Sequence, residues 1–301
     1  MLWVIGCKGM LGSQLCELLD LYGIEYTGTG SEVDVTAFEV LDAFAEKSFA
    51  GKKVDFIINC SAYTAVDKAE DESETAEKIN STGALNIAKV AGKLDCPLIH
   101  ISTDYVFDGC AAEPVDENAE KNPQSVYGRT KAMGEDNIIR TISKYYILRT
   151  AWLYGFNGKN FVYTMTRAMQ NRESVKVVCD QRGTPTNCST LCRVILALIQ
   201  KKNAAYGVYH VTDSGETTWF DFCREIYRLG TKYSRITNSC TINSCTTGEY
   251  PVKANRPAYS VLDTAKIQNE LKIKLPDWKD SLEDFIKVSR FETIQEIYKN
   301  A

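Results

Sequence analysis

The chain has 301 residues, which at roughly 100–200 residues per domain means two domains or one large domain with an appended lobe. Hydrophobic residues make up 44% and charged residues 25%, ordinary globular usage that excludes bulk disorder. The 35 basic and 39 acidic residues leave a net charge of −4, so a protein built mainly to bind a nucleic-acid backbone is excluded.

The opening Met1-Leu2-Trp3-Val4-Ile5-Gly6 lacks a basic n-region and a small-residue cleavage site. It reads as a first strand, not a signal peptide. No apolar run approaches the roughly 18 residues of a membrane span, so no membrane partner is expected. The 11 cysteines are odd in number and form no Cys-x-x-Cys. They read as reduced thiols of a cytoplasmic protein, some of them filling the core. Only His100 and His210 could join them in a zinc site, and both lie in strand-like apolar runs, so no metal is expected.

The first half alternates strand and helix signals. Residues 2–5 form an apolar run, and 10–21 carry Leu11, Leu15, Leu18 and Leu19 at helical spacing. A weak strand follows at 25–27, then a helix at 36–49, a strand at 54–59 and a long helix at 74–94. Strand 98–102, helix 127–142 and strand 145–149 complete the series. Such alternation implies right-handed βαβ units, a Rossmann-type doubly wound parallel sheet with helices on both faces.

After residue 152 the rhythm loosens. Helices are expected at 161–170, 191–201, 219–229 and 278–288, with strands at 174–178 and 207–211. The stretch 231–249 reads as loop with a short strand. The expected division is a dinucleotide-binding domain over 1–152, its sheet completed by parts of 174–212, and a smaller α/β substrate lobe over 153–173 and 213–301.

Gly6-Cys7-Lys8-Gly9-Met10-Leu11-Gly12 is a G-x-x-G-x-x-G array between a strand and a helix. Glycines permit the tight turn and let backbone approach a pyrophosphate, while the helix N-terminus supplies amide donors. The spacing resembles that of extended short-chain dehydrogenases/reductases. The second strand ends Thr27-Gly28-Thr29-Gly30, without an acidic residue at its tip to reject a 2′-phosphate. NADPH is therefore expected to serve at least as well as NADH, which stays as the alternative cofactor. Lys8 is the nearest cation to a 2′-phosphate, or else a solvated charge.

Two further segments close strands: Asn59-Cys60-Ser61-Ala62-Tyr63-Thr64 and Ser102-Thr103-Asp104-Tyr105. A third, Tyr127-Gly128-Arg129-Thr130-Lys131, opens a helix and puts Tyr127 and Lys131 on one face. Reducing a ketone by hydride leaves an alkoxide that needs a proton. A tyrosine of pKa about 10 supplies it at neutral pH only if a neighbouring cation stabilises the phenolate. A threonine hydroxyl can hold the carbonyl oxygen in line.

The chain resembles the dTDP-4-dehydrorhamnose reductase family in several stretches. These are Ala65-Val66-Asp67-Lys68-Ala69-Glu70, Ser102-Thr103-Asp104-Tyr105-Val106-Phe107, the Tyr127 motif, Arg149-Thr150-Ala151-Trp152-Leu153-Tyr154 and Asp180-Gln181-Arg182-Gly183-Thr184-Pro185-Thr186. Thr217-Thr218-Trp219 and Arg256-Pro257, with Ser260 and Leu262, extend the match to about residue 265. The resemblance implies a catalytic set of Thr103, Tyr127 and Lys131. It implies cofactor contacts from Gly6, Gly9, Met10, Leu11 and Gly12 at the pyrophosphate and from Asp34 and Val35 at the adenine. Ala62, Tyr63 and Thr64, with Tyr127 and Lys131, would serve the nicotinamide side; many members carry histidine where Tyr63 stands. Thr103, Asp104 and Trp152 would touch the dTDP-sugar. Trp219 lines the lobe or anchors its core, and Arg256 meets a diphosphate or a structural carboxylate.

The implied reaction is NAD(P)H-dependent reduction of the C4 keto group of dTDP-4-dehydro-L-rhamnose. The rivals are another nucleotide-sugar 4-ketoreductase or epimerase, a dehydratase, and a non-catalytic NADP-binding regulatory subunit. Dehydratases usually carry glutamate where Tyr105 stands. Some members dimerise around magnesium held by glutamates; the matching places here are Gln14 and Ser189, which offer no charge to a hard cation. A monomer or a magnesium-independent dimer is expected.

Overall fold

Leu2–Ile5 (β1) is buried at every position, as suits a strand covered on both faces. The computed structural model describes residues 1–201 and 203–288. After β1 come α1 (Met10–Leu21), β2 (Tyr26–Thr29), α2 (Phe38–Phe49) and β3 (Phe56–Asn59). Short α3 (Val66–Ala69) and α4 (Ser73–Glu77) lead through a π-helical turn (Lys78–Thr82) into α5 (Gly83–Lys93). Then follow β4 (Leu98–Thr103), a 3₁₀ turn (Asp104–Val106), α6 (Val126–Thr141) and β5 (Tyr145–Thr150).

The second half holds β6 (Leu153–Tyr154), α7 (Phe161–Asn171), β7 (Ser174–Val178), β8 (Arg182–Gly183), β9 (Thr186–Asn187) and α8 (Cys188–Gln200). It continues with β10 (Gly207–His210), β11 (Thr217–Thr218), α9 (Trp219–Lys232), β12 (Thr241–Cys245) and β13 (Tyr259–Ser260). Helices α10 (Ala265–Leu271) and α11 (Trp278–Lys287) close the described chain.

The main sheet is parallel throughout, in the order β10-β5-β4-β3-β1-β2. On one face Leu11, Leu15 and Leu18 of α1 pack with Leu191 and Ile195 of α8 and Ile267 of α10. On the other, Leu41 and Ala45 of α2 pack with Ile87 and Ala91 of α5. This is the expected doubly wound α/β architecture. A separate core, including Tyr154, Met169, Val177, Phe222, Trp278 and Phe285, holds the C-terminal elements together.

The structure departs from the sequence-based elements in several places. The second strand runs over Tyr26–Thr29, further than 25–27. The expected long helix at 74–94 is interrupted by the π-helical turn, where buried Asn80 bonds outward to other segments. Helix α8 starts at Cys188, ahead of 191, because the Asn187 side chain caps it by accepting from Ser189 N at 2.9 Å. Strand β7 lies outside the main sheet and pairs with β12; of 174–212, only β10 joins that sheet. Helix α10 had no counterpart in the sequence reading; it is short and ends at Lys272 in a left-handed conformation, φ 57°. Residues 289–301 of the expected lobe lie outside the described residues.

Candidate active site

The glycine turn follows β1 directly. Gly6 has φ +80°, and a side chain there would strike the backbone at Cys60 and Ser61, where β3 ends. A Cβ on Gly12 would run into the Gly6 carbonyl oxygen. Gly9 caps α1 without any side-chain hydrogen bond, so no side chain takes up the first amides of α1 as a cap. Met10 is half-buried and Leu11 buried. The turn thus has the close backbone and free amides that a dinucleotide pyrophosphate requires.

Beyond β2 the structure corrects the sequence reading. Glu32 folds back over the strand tip and accepts from Gly30 N at 2.6 Å and from Lys8 Nζ at 3.0 Å. An acidic group therefore does stand beside the tip of β2, which the sequence reading left without one. The Gly30 amide and the Lys8 ammonium hold its carboxyl down to about 2. Lys8 is an ion-paired charge, and Glu32 escaped notice because it lies beyond the strand and returns through a turn. Asp34 holds Thr36 by its amide and hydroxyl, both at 2.8 Å, and buried Val35 accepts from Asn86 Nδ2 through its carbonyl.

Ala62, Tyr63 and Thr64 sit on the loop after β3. Asn80 pins this loop, accepting from Tyr63 N at 2.8 Å and donating to Tyr63 O and Thr130 Oγ1, both at 3.1 Å. The Tyr63 hydroxyl donates to Glu72 Oε2 at 2.6 Å, and the Tyr63 and Tyr127 rings pack on the same cluster around Val126.

Thr103 ends β4 and is buried. Its hydroxyl donates to Asp104 Oδ1 at 2.9 Å and accepts from Tyr105 N at 3.2 Å. Burial raises the Asp104 carboxyl to about 6 against the lowering effect of Thr103 and Ser260. Helix α6 starts beside this turn because Ser125 accepts from Gly128 N at 3.1 Å and Glu70 accepts from Val126 N at 2.9 Å. Gly128 lets the helix close on the Tyr105 carbonyl, which any Cβ would hit. Tyr127 is thereby brought beside Thr103, with the Tyr105 ring edge-on at 5.5 Å. Burial raises the Tyr127 pKa further than the neighbouring Thr103 lowers it, so the hydroxyl carries its proton.

Lys131 is fully buried, 2% exposed, with Nζ donating to Ile101 O at 2.6 Å and lying 3.2 Å from His100 Nε2. Burial lowers its pKa to about 8, opposed by Glu135. One turn further, Glu135 is bound by Arg149 and Ser102. The structure thus brings Thr103, Asp104 and Tyr127 together at the carboxyl end of β4, where open α/β sheets bind ligands, with Lys131 one helical turn beyond Tyr127 and its Nζ seated on β4 at Ile101.

The lobe residues arrive from the other side. Trp152 holds φ +47° and stacks on Trp219 with ring centroids 3.6 Å apart. Trp219 and Arg256 line a cavity of about 360 Å³ with Phe161, Gln181 and Tyr250. Arg256 is engaged by protein: Nη2 donates to Asp67 at 2.7 Å and Nη1 to the Tyr105 hydroxyl at 3.3 Å. Sequence reasoning missed Glu32, His100, Asn80 and Glu135 as parts of the site's support. Asn80 and Glu135 are revealed only by their pairing with partners far along the chain.

Gln14 and Ser189 are buried between α1 and α8, with Gln14 Nε2 donating to Ser189 Oγ at 2.7 Å. All eleven cysteines are free, and Cys110 alone is exposed. Among the described residues no helix is long and apolar enough to cross a membrane.

Comparison with known proteins agrees with this geometry. A family model described as RmlD substrate binding domain matches residues 1–291. A dTDP-4-dehydrorhamnose reductase of Aggregatibacter actinomycetemcomitans is 35% identical over 297 residues, covering 94% of this chain and 97% of that protein. The crystal structure of a dTDP-4-dehydrorhamnose reductase from Clostridium acetobutylicum superposes with a TM-score of 0.87 at 41% identity, covering 95% of this chain and 98% of that one. The Bacillus anthracis dTDP-4-dehydrorhamnose reductase, solved in complex with NADP, gives 0.87 at 34% identity, covering 94% and 97%. With its glycine turn, its Thr103–Tyr127–Lys131 cluster and these likenesses over nearly its whole length, the chain belongs to the dTDP-4-dehydrorhamnose reductase family.

Proposed function

We propose that this enzyme reduces the C4 keto group of dTDP-4-dehydro-L-rhamnose to give dTDP-L-rhamnose, with NADPH as cofactor and NADH as a usable second. The bound nicotinamide supplies the hydride. Thr103 holds the keto oxygen, and Tyr127 gives its proton to that oxygen as the C–O bond becomes an alkoxide. The Lys131 ammonium stabilises the phenolate left behind. Gly6, Gly9, Met10, Leu11 and Gly12 cradle the pyrophosphate of the cofactor, with Asp34 and Val35 toward the adenine and Ala62, Tyr63 and Thr64 toward the nicotinamide ribose. Asp104, Trp152, Trp219 and Arg256 receive the dTDP-sugar.

The observation that carries this reading is the placing of the Tyr127 hydroxyl beside Thr103 at the end of β4, backed by the buried Lys131. Tyr105 follows Asp104 and is engaged with Arg256, so no carboxylate stands there for an elimination. We assign residues 1–152 with α8, β10 and α10 to the cofactor half and the remaining C-terminal elements of the described chain to the substrate lobe, supported by their separate cores. The free thiols support a cytoplasmic setting. The test is NADPH oxidation followed with dTDP-4-dehydro-L-rhamnose, using Tyr127→Phe as control. Turnover should fall about 10²–10⁴-fold in the variant with NADPH binding kept. Absence of oxidation by folded wild-type protein that binds NADPH would favour the regulatory-subunit reading instead.

A further inference from the structure

His100 lies on β4, facing Lys131 of α6, and the reaction as proposed gives it no part. Its hydrogen bonds fix its proton. Asn59 Oδ1 accepts from Ser61 N at 3.0 Å and from Ser61 Oγ at 2.6 Å. The Asn59 amide is therefore oriented with its NH₂ toward His100, and Nδ2 lies 3.0 Å from His100 Nδ1. An NH₂ group can only donate, so Nδ1 must accept. A neutral imidazole that accepts at Nδ1 carries its proton on Nε2. That nitrogen faces Lys131 Nζ at 3.2 Å. An ammonium would meet this N–H donor to donor. A neutral amine can accept from it while still donating to Ile101 O at 2.6 Å.

We propose that His100 is a positioning residue for Lys131: locked by Ser61 and Asn59 in the Nε2–H tautomer, it fixes Nζ in place and favours the amine over the ammonium. This rests on the reading of Lys131 as the cation that stabilises the Tyr127 phenolate. Burial of Lys131 acts in the same direction. His100 cannot escape by taking a second proton, since burial and Lys131 both hold it neutral.

The other groups around Lys131 leave room for this effect. Glu135 on α6 favours the ammonium, but its carboxylate is occupied by Arg149 of β5, by Ser102 and by Lys121. Asp104 and Tyr105 of the 3₁₀ turn face Tyr127. From the α3–α4 side, Asp67 is turned to Arg256 and Glu70 to Val126 N. The π-helical turn contributes the neutral Asn80, which bonds Thr130.

Two measurements test the proposal. The chain has only two histidines, so nitrogen NMR of ¹⁵N-histidine-labelled wild-type protein resolves both. His100 should show the proton on Nε2 and no titration between about pH 5 and 9. His210 should show the opposite tautomer, because its Nδ1 faces the Val115 carbonyl at 3.0 Å. A His100 proton on Nδ1, or a His100 that becomes cationic in this range, overturns the proposal without any variant.

The second measurement is the pH profile of turnover. Activity that needs the ammonium falls as pH rises through the Lys131 pKa. In folded His100→Gln, whose amide oxygen can turn to Nζ, and in Asn59→Asp, which moves the imidazole proton to Nδ1, this limb should shift upward by about one pH unit. That is the scale of one hydrogen bond gained by the charged form. Lower activity with an unmoved limb in both variants means His100 is only structural and overturns the proposal. Lys131→Met separates the two ideas: normal turnover in it removes Lys131 from the chemistry, whatever tautomer His100 shows.

Discussion

The Glu135 carboxylate grips the Arg149 guanidinium with two hydrogen bonds, Oε1 to Nε at 2.9 Å and Oε2 to Nη2 at 2.7 Å, beneath the catalytic cluster. Both side chains are buried, and the pair ties α6 to β5 while Ser102 ties it to β4. Burial alone would raise the Glu135 pKa, but Arg149, Lys121 and Ser102 together bring it below the ordinary 4.5. Breaking such a pair leaves a buried charge alone, so Glu135→Leu should destabilise the fold by about 3–5 kcal/mol. The double variant Glu135→Leu/Arg149→Met should recover much of that loss. Because the folded pKa lies below the unfolded one, the stabilisation is present above about pH 4.5 and fades as pH falls through the folded value. Urea titrations of both variants at pH 7 and pH 4 check this; a Glu135→Leu protein as stable as wild type at pH 7 would exclude it.

The Lys8–Glu32 pair bears on cofactor choice. A 2′-phosphate at the tip of β2 would compete with Glu32 for the Gly30 amide and Lys8, while a free ribose diol could donate to Glu32. Both side chains are well exposed, which limits the effect to the scale of a surface ion pair. Glu32→Gln should raise the preference for NADPH over NADH about two- to fivefold, and Lys8→Met should lower it by a similar factor. Fluorescence titration of both cofactors decides the matter. Equal ratios in all three proteins would place the 2′-site elsewhere.

The parts of this molecule that were legible in the sequence are those where one local pattern determines the outcome. The glycine turn, the strand ends at Asn59 and Thr103, and the Tyr127/Lys131 spacing all lie within short windows. Their elements fall close to where the periodicity placed them. What was not legible depends on chain returning from a distance. Glu32 reaches Gly30 only because the loop folds back, and the π-helical turn exists where Asn80 meets both Tyr63 and Thr130. Strand β7 has the pattern of a sheet strand, but its partner is β12, more than sixty residues on, in a segment whose composition reads as loop.

Assembly is testable through Gln14 and Ser189. Their hydrogen bond lies inside the chain, buried between α1 and α8, and it joins two neutral groups that offer no charge to a hard cation. Gel filtration with light scattering should give the same mass with magnesium and with chelator, whether monomer or dimer. A dimer that dissociates only on chelation would contradict this. Converting both residues, as Gln14→Glu/Ser189→Glu, should bury two carboxylates against each other and lower stability unless magnesium is supplied.

The stack of Trp152 on Trp219 carries the last expectation. Trp152 holds φ +47°, a conformation that costs a non-glycine residue about 1–3 kcal/mol and persists only if its surroundings impose it. Trp219 imposes it with rings 3.6 Å apart and 12° from parallel, and Phe161 supports Trp219 at 4.5 Å. Stacking of this kind is worth about 0.5–1.5 kcal/mol, comparable with the backbone cost it opposes. Trp219→Ala should therefore free Trp152 and loosen the lobe side of the site, while Thr103 and Tyr127 stay in place on the main sheet. KM for the dTDP-sugar should rise about three- to tenfold, the equivalent of that stacking energy, with kcat changed less. Trp219→Phe, which keeps an aromatic face under Trp152, should recover most of the loss. Circular dichroism gives an independent reading, since two indoles this close couple and the coupling vanishes when one is removed. If the coupling disappears in Trp219→Ala and KM does not move, the held conformation of Trp152 has no part in binding the sugar nucleotide.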